Sequence, residues 1–222
     1  MARRPREESR SKRIAFAGLG AALVSVSVCA RADDRPTDPS HGRVDGDVSV
    51  VVGVGGAIAP RGPRAQVELR LRYLETAGVF ATLEDAGAFS SSSEPGRVFL
   101  TGFELRPLFL FRWLKGLEGA RAHWDLTVDS IGLELGAMFE QPAEAGLASR
   151  NGVELGLGFE VPIFERPSGP FVGVRGSLRW SSEALGSTIQ GAADRQAVLS
   201  LTLAWHQTLS GHLVDFDDRA PR

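Results

Sequence analysis

Nucleophilic catalysis needs a nucleophile, a base and an orienting carboxylate within hydrogen-bond reach of one another. Near the C-terminus, His206 and Ser210 with Asp215 or Asp217 supply those residue types. Their setting argues against a triad. His206 falls on the polar face of an alternating segment, and Ser210-Gly211 reads as a turn into a solvated tail. Asp125, Asp129 and Glu134 lack the spacing of a calcium loop, and no cluster of His or Cys suits zinc. Gly53-Val54-Gly55-Gly56 is not a phosphate-binding loop, because no helix follows it. Ser90 to Ser93 with Glu94-Pro95-Gly96 reads as a flexible loop, and Asp215, Asp217 and Asp218 as a solvated acidic tail. No catalytic residue, metal or cofactor is expected.

A different set of charges carries a pattern. Glu68, Arg70, Arg72, Glu104, Arg106, Arg112, Glu134, Glu154, Glu160, Arg175 and Arg179 stand at alternate positions between Val, Leu, Phe and Trp, with nearly balanced signs. Charges that face a dry interior must be paired, and opposite charges on neighbouring strands can do this. The expected structure is an ion-pair network that plugs the lumen of a barrel. A narrow ion path or switchable gate is the alternative use of the same residues.

The elements that would position these charges are strands, because the dominant period from Asp47 onward is two. Val48, Val50, Val52 and Val54 oppose Ser49, Gly53 and Gly55. Val67, Leu69, Leu71 and Tyr73 oppose Gln66, Glu68, Arg70 and Arg72. A third segment, Val79 to Leu83, is short and weakly patterned. The fourth runs from Val98 to Trp113, with Phe99, Phe103, Leu105, Phe109, Phe111 and Trp113 on one face; Pro107 inside it requires a bulge or a missing ladder partner. The fifth starts at Trp124, Leu126 and Val128 and changes phase to Ile131, Leu133, Leu135, Ala137 and Phe139, which predicts a β-bulge near Asp129-Ser130. The last three are led by Val153 to Ile163, Val172 to Trp180 and Leu199 to Trp205.

An eight-stranded barrel has an interior just wide enough for its own side chains or one small ligand. Four to six apolar residues per strand, many of them Phe or Trp, would overfill it. The Gly-rich polar face fits a narrow lumen better. The apolar face therefore points outward to lipid, in preference to the soluble, lipocalin-like arrangement. The fold class expected is all-β, an eight-stranded antiparallel up-and-down transmembrane β-barrel over 47–209. With a periplasmic N-terminus the outer loops would be 58–64, 85–97, 140–151 and 182–195, and the inner turns 74–77, 114–122 and 165–170. Tyr73, Trp113, Trp124, Trp180 and Trp205 fall near strand ends, where amphipathic rings prefer the headgroup level.

The flanking segments agree with export. Residues 1–32 read as a signal peptide: Arg3, Arg4, Arg6, Arg10, Lys12 and Arg13 precede an uncharged run from Ile14 to Val28, and Ala30-Arg31-Ala32 is a small-x-small cleavage site. The run is too short for a comfortable span, and Pro5 and Arg6 do not suit a twin-arginine signal. Cleavage after Ala32 would remove Cys29, the only cysteine, and with it any disulfide; the rival is a lipoprotein acylated on Cys29. Residues 33–46 read as a flexible periplasmic lead-in and 210–222 as a polar tail. A formal net charge of -2 gives no general attraction to nucleic acid. Lys12 and Lys115 are the only lysines, an arginine bias that suits buried ion pairs.

Over 47–209 the chain resembles the small outer-membrane β-barrel proteins, of the size class with OmpA-like and OmpX-like barrels. The stretch from Phe103 to Leu110, followed by Asp125 to Ser130, looks like that of uncharacterised barrels from GC-rich Gram-negative genomes. The resemblance implies location and fold, with no activity to carry over. It implies an outer-membrane protein, monomeric, in contact with outer-membrane lipids and, during biogenesis, with periplasmic chaperones and the barrel assembly machinery. Such barrels usually end on an aromatic residue that the machinery reads; here Trp205 and Leu209 would serve as an internal signal, or the last strand ends elsewhere. The expected role is structural or loop-mediated interaction in the envelope. The alternatives are a lipid-modifying enzyme, such as a lipid A deacylase, and a narrow solute channel, although the active-site patterns of barrel deacylases and acyltransferases do not match these residues.

Overall fold

A computed structural model describes residues 48–88, 95–117, 119, 121–142, 149–186 and 195–209. The signal segment 1–32 with Cys29, the lead-in 33–46, Ser90 to Ser93 and the tail 210–222 with Ser210, Asp215, Asp217 and Asp218 lie outside the described residues.

The period-two segments form eight strands: β1 Val48–Ala59, β2 Gly62–Tyr73, β3 Ala77–Asp85, β4 Arg97–Leu105, β5 Gly132–Gln141, β6 Arg150–Pro162, β7 Gly169–Ser181 and β8 Arg195–Leu209. Each pairs antiparallel with the next, and β8 returns to β1, from Val48 opposite Leu209 to Ile58 opposite Leu199. The sheet is thus the expected closed eight-stranded up-and-down barrel. Closure removes the edge strands that would otherwise present unpaired backbone groups.

Because side chains alternate across a strand, each strand gives one row to the lumen and one to the outside. Glu68, Arg70 and Arg72 of β2 are buried, while Val67, Leu69 and Leu71 between them are exposed. The same inversion holds on β8, where Ser200, Thr202 and His206 are buried and Leu201, Leu203 and Trp205 are more than half exposed. The third segment looked weakly patterned because its inward row includes Phe80. That ring packs in the lumen with Val98, Leu100 and Met138. Room for it comes from Gly102 of β4 and Gly136 of β5, which face each other in register. A Cβ on Gly136 would come within 2.9 Å of the Phe80 ring, and one on Gly102 within 2.2 Å of the Leu135 carbonyl oxygen.

The fourth and fifth strands differ from expectation. β4 ends at Leu105 instead of reaching Trp113, and helix α1 Pro107–Lys115 follows. Pro107 takes the N1 position, where its missing N–H costs nothing and its fixed φ suits the helix. Gly116 closes α1 in the left-handed conformation, φ 60°. A second helix, α2 Ala122–Asp129, occupies the residues assigned to the start of the fifth strand. The phase change at Asp129-Ser130 is therefore a helix-to-strand junction and not a β-bulge. Phe109, Phe111 and Trp113 continued the strand parity by coincidence, since a short apolar run does not distinguish helix from strand.

Connections change accordingly. Pairing continues through Ile58–Pro63 and Ala59–Gly62, so the expected loop 58–64 contracts to a tight turn at Pro60-Arg61. The expected inner turn 114–122 expands to the helical connection 106–131, at the barrel end where β1 starts and β8 finishes. At the opposite end the chain leaves β3 through a 3-10 turn at Ala86–Ala88, β5 at Gln141 and β7 through the short helix α3 Ser182–Gly186.

The β2–β3 turn is strained. Leu74 and Glu75 both have positive φ, 46° and 54°, and Thr76 N–H donates to the Tyr73 carbonyl at 3.0 Å. Turns that need positive φ at two successive positions normally use Asn or Gly, and a non-glycine residue there costs about 1–2 kcal/mol. The Glu75 carboxylate offsets that cost through the contacts described next.

Candidate functional site

Inward positions on six strands, with Glu75 of the β2–β3 turn and Arg106 just after β4, converge on the barrel axis and build an ionic plug. Towards the end that carries β1's first residue, Arg72 donates to Glu104 at 3.1 Å and to Glu160 at 3.0 Å. Arg106 donates to Glu104 at 2.9 Å, to Glu75 at 3.2 Å and to Glu160. In the middle, Arg70 reaches Glu68 and Glu104 at 3.0 Å and Glu134 at 2.6 Å, and Arg175 holds the other oxygen of Glu134 at 2.9 Å. Towards the far end, Arg179 clasps both oxygens of Glu84, at 2.6 and 2.9 Å, and also binds Glu154. Arg64 adds a contact to Glu84 at 3.3 Å, and Ser177 donates to Glu154 at 3.0 Å.

Topology gives these pairs their meaning. Arg72 and Glu160 lie on β2 and β6, and Arg179 and Glu84 on β7 and β3. Strands four apart in a ring of eight face each other, so these bridges cross the lumen rather than running round its wall. The guanidinium suits such a site because its planar fork can bind carboxylates bidentately and is less strongly hydrated than an ammonium. What remains between Glu68, Arg70, Glu134, Arg175, Ser200 and Thr202 is a cavity of about 20 Å³. That is room for a water and little more.

The helical connection covers one mouth of the barrel. Phe109 of α1 and Leu126 of α2 are buried over Glu75, Arg106, Phe171 and His206. The Ser130 hydroxyl accepts the Glu160 N–H at 2.7 Å and lies 2.8 Å from the Glu160 carbonyl oxygen, which fixes the end of α2 to β6. Arg112 binds Asp129 at 2.8 Å and also Asp125, whose other oxygen accepts the Gly119 N–H at 2.8 Å. Burial disfavours the Arg112 cation, yet its hydrogen bond to Asp125 and the two carboxylate charges outweigh this and raise its pKa. Glu75 shows the converse. Burial favours its neutral form, but Arg106, Arg72 and His206 leave its pKa below the usual carboxylate value.

Of the eleven residues expected in the lumen, ten line it. Arg112 does not: it belongs to α1 and joins the two helices. Trp113 and Trp124 likewise sit on α1 and α2 and not near strand ends, because the fourth strand stops at Leu105 and the fifth begins only at Gly132. Tyr73 and Trp205 lie towards the mouth covered by the helices and Trp180 towards the opposite one. Sequence reasoning missed Arg64, Glu75, Glu84 and Glu140, all of them buried. Arg64, Glu84 and Glu140 share the parity of the inward rows and lay just beyond the expected strand ends, so extending each pattern by one repeat would have found them. Glu75 sits in a turn, where no periodicity marks it.

His206, on the last strand, is buried, stacked on Phe171 with ring centroids 3.9 Å apart, and 3.4 Å from Glu160. Among the described residues, no group of three or more His, Cys, Asp or Glu side chains is arranged to hold a metal ion.

Fold and site together define a closed eight-stranded barrel that is apolar outside and ionic within. No family model matches the sequence, and no curated protein matches it. Among solved structures, the chain is similar to the N-terminal β-barrel domain of Pseudomonas aeruginosa OprF, with a TM-score of 0.40 and 10% identity over 73% of this chain and 99% of that chain.

Proposed function

We propose that the protein spans the outer membrane of a Gram-negative cell as a plugged barrel, with a structural or loop-mediated role in the envelope. The observation that carries this reading is the inverted polarity of the wall. Arg72, Arg179, Glu84 and Glu154 are almost wholly buried, whereas Phe103 is 71%, Leu135 60% and Leu201 58% exposed. In water each exposed side chain of that kind forgoes about 1.5–3 kcal/mol of burial free energy; against hydrocarbon the same band is the favourable surface. Strands of nine to fifteen residues are long enough to cross the bilayer core at a tilt.

The lumen supports closure over conduction, since the ion pairs cross it and the cavity among Glu68, Arg70, Glu134 and Arg175 holds little more than a water. Surface contacts would then fall to the connections at 86–96, 142–149 and 182–194. In this reading residues 1–32 direct export, periplasmic chaperones and the assembly machinery deliver the chain, and outer-membrane lipids are its standing partners. Cell fractionation with gel analysis of heated and unheated samples tests it. The expected result is outer-membrane recovery and a mobility that changes on heating. Recovery in the soluble periplasm with no heat-dependent mobility would overturn it.

A further inference from the structure

Helix α1 presents two faces. Phe109 and Arg112 turn towards the barrel mouth and α2, where one is buried and the other holds Asp125 and Asp129. Pro107, Leu110, Phe111 and Leu114 form the opposite stripe, and Leu117 extends it beyond the Gly116 cap. This i, i+3, i+4, i+7 spacing is that of one helix face. The stripe is uncovered: Leu114 is 68% exposed, and Phe111 and Leu117 are also more than half exposed. It continues the apolar band of the wall, since Leu105 ends β4 two residues before the helix and is half exposed. Lys115, in the last turn of α1, and Arg121, just before α2, are both exposed, with Glu118 between them in the sequence.

We propose that α1 is an interfacial lipid-binding helix. Its stripe enters the acyl chains at the membrane boundary, and Lys115 and Arg121 meet the anionic phosphates of lipid headgroups. An apolar face flanked by basic residues is the composition that lies in a bilayer interface. The proposal rests on the membrane-barrel reading. It adds that the helical connection holds one mouth of the barrel at a fixed depth while Phe109 and Leu126 cover it.

Two single-tryptophan variants of the full mature chain distinguish the two ideas. W124F/W180F/W205F keeps Trp113, at the edge of the stripe, and W113F/W124F/W180F keeps Trp205, on the outer face of β8. Each is refolded into vesicles of phosphatidylethanolamine and phosphatidylglycerol whose acyl chains carry bromine close to the headgroup. Both tryptophans should lose most of their emission to the brominated lipid and little to aqueous iodide. If Trp205 is quenched by lipid but Trp113 only by iodide, the helix proposal fails and the membrane barrel stands. If neither is quenched by lipid, both fail. Phe111→Glu with Leu114→Glu in the otherwise native chain gives a second reading, because the folded barrel's gel mobility should persist while the lipid-quenched fraction falls. An unchanged fraction would also overturn the proposal.

Discussion

Arg106 shows what a single side chain does in this lumen. It stands between β4 and α1 at the barrel mouth and engages carboxylates from β4, from the β2–β3 turn and from β6. Deleting it would leave Glu75, Glu104 and Glu160 crowded and short of a counter-charge in a site closed to solvent. Arg106→Ala should therefore cost about 3–5 kcal/mol, as the loss of one partner of a buried ion pair does. Arg97 pairs with Asp85 at 3.0 Å on the surface, its side chain 56% exposed, so Arg97→Ala should cost about 1 kcal/mol or less. Urea unfolding of both variants in lipid vesicles checks the contrast, and equal midpoints would contradict it. Glu75 adds a pH dependence. Its folded-state pKa is depressed, so its contribution is complete above the unfolded value of about 4.3 and is lost as pH falls through the lower folded value. Glu75→Gln should therefore destabilise the barrel by about 2 kcal/mol at neutral pH. The gap from the native protein should close in strong acid. A gap that stays constant across that window would show that the carboxylate charge is not what Glu75 contributes.

Among the elements, β4 and β5 pair at one position where neither has a side chain. Gly102 and Gly136 stand opposite each other, and the Phe80 ring fills the lumen beside them. Gly102→Ala would drive a methyl group to 2.2 Å from the Leu135 carbonyl and 2.4 Å from the Gly136 Cα. The wall must shift to admit it, at a cost on the order of 2 kcal/mol, again read from unfolding in vesicles. The same two strands were the least legible in the sequence. Phe99, Phe103 and Leu105 announced β4 correctly, and Pro107 marked its end, since Pro at the first helical position is favoured and Pro in a ladder is not. Aromatic residues at alternate positions beyond it hid the helix, because an apolar run only nine residues long fits a strand as readily as a helix. The helices themselves rest on tertiary contacts: the Arg112 bridges to α2 and the burial of Phe109 and Leu126 over the barrel mouth.

At the scale of the molecule, the bridges from β2 to β6 and from β3 to β7 stand across the path along the barrel axis. In planar bilayers the native protein should give no discrete conductance steps. Steady unitary currents at neutral pH would contradict the plug and favour the narrow path. Stability and closure come from the same bridges, so variants that open the lumen should also unfold in less urea. The inverted polarity is a property of all eight strands together. Any one of them, read alone, fits a soluble barrel with the opposite face inward.

The sequence by itself determined that there are eight strands and which rows share a face, but not where the fourth ends or the fifth begins. A period of two in hydrophobicity needs no tertiary information, since the backbone geometry of a strand sends successive side chains to opposite sides. It also determined that ten of the charges would share one interior, because they lie on the rows that alternate with the apolar ones. Only the tertiary structure decided which charges meet. Arg72 with Glu160 is a pair across 88 positions and Arg179 with Glu84 one across 95, and such partners follow from ring closure and register, which local pattern does not encode. It likewise decided that 106–131 folds as a helical cover and not as strand, as Phe109 and Leu126 gain their burial only against a completed barrel mouth.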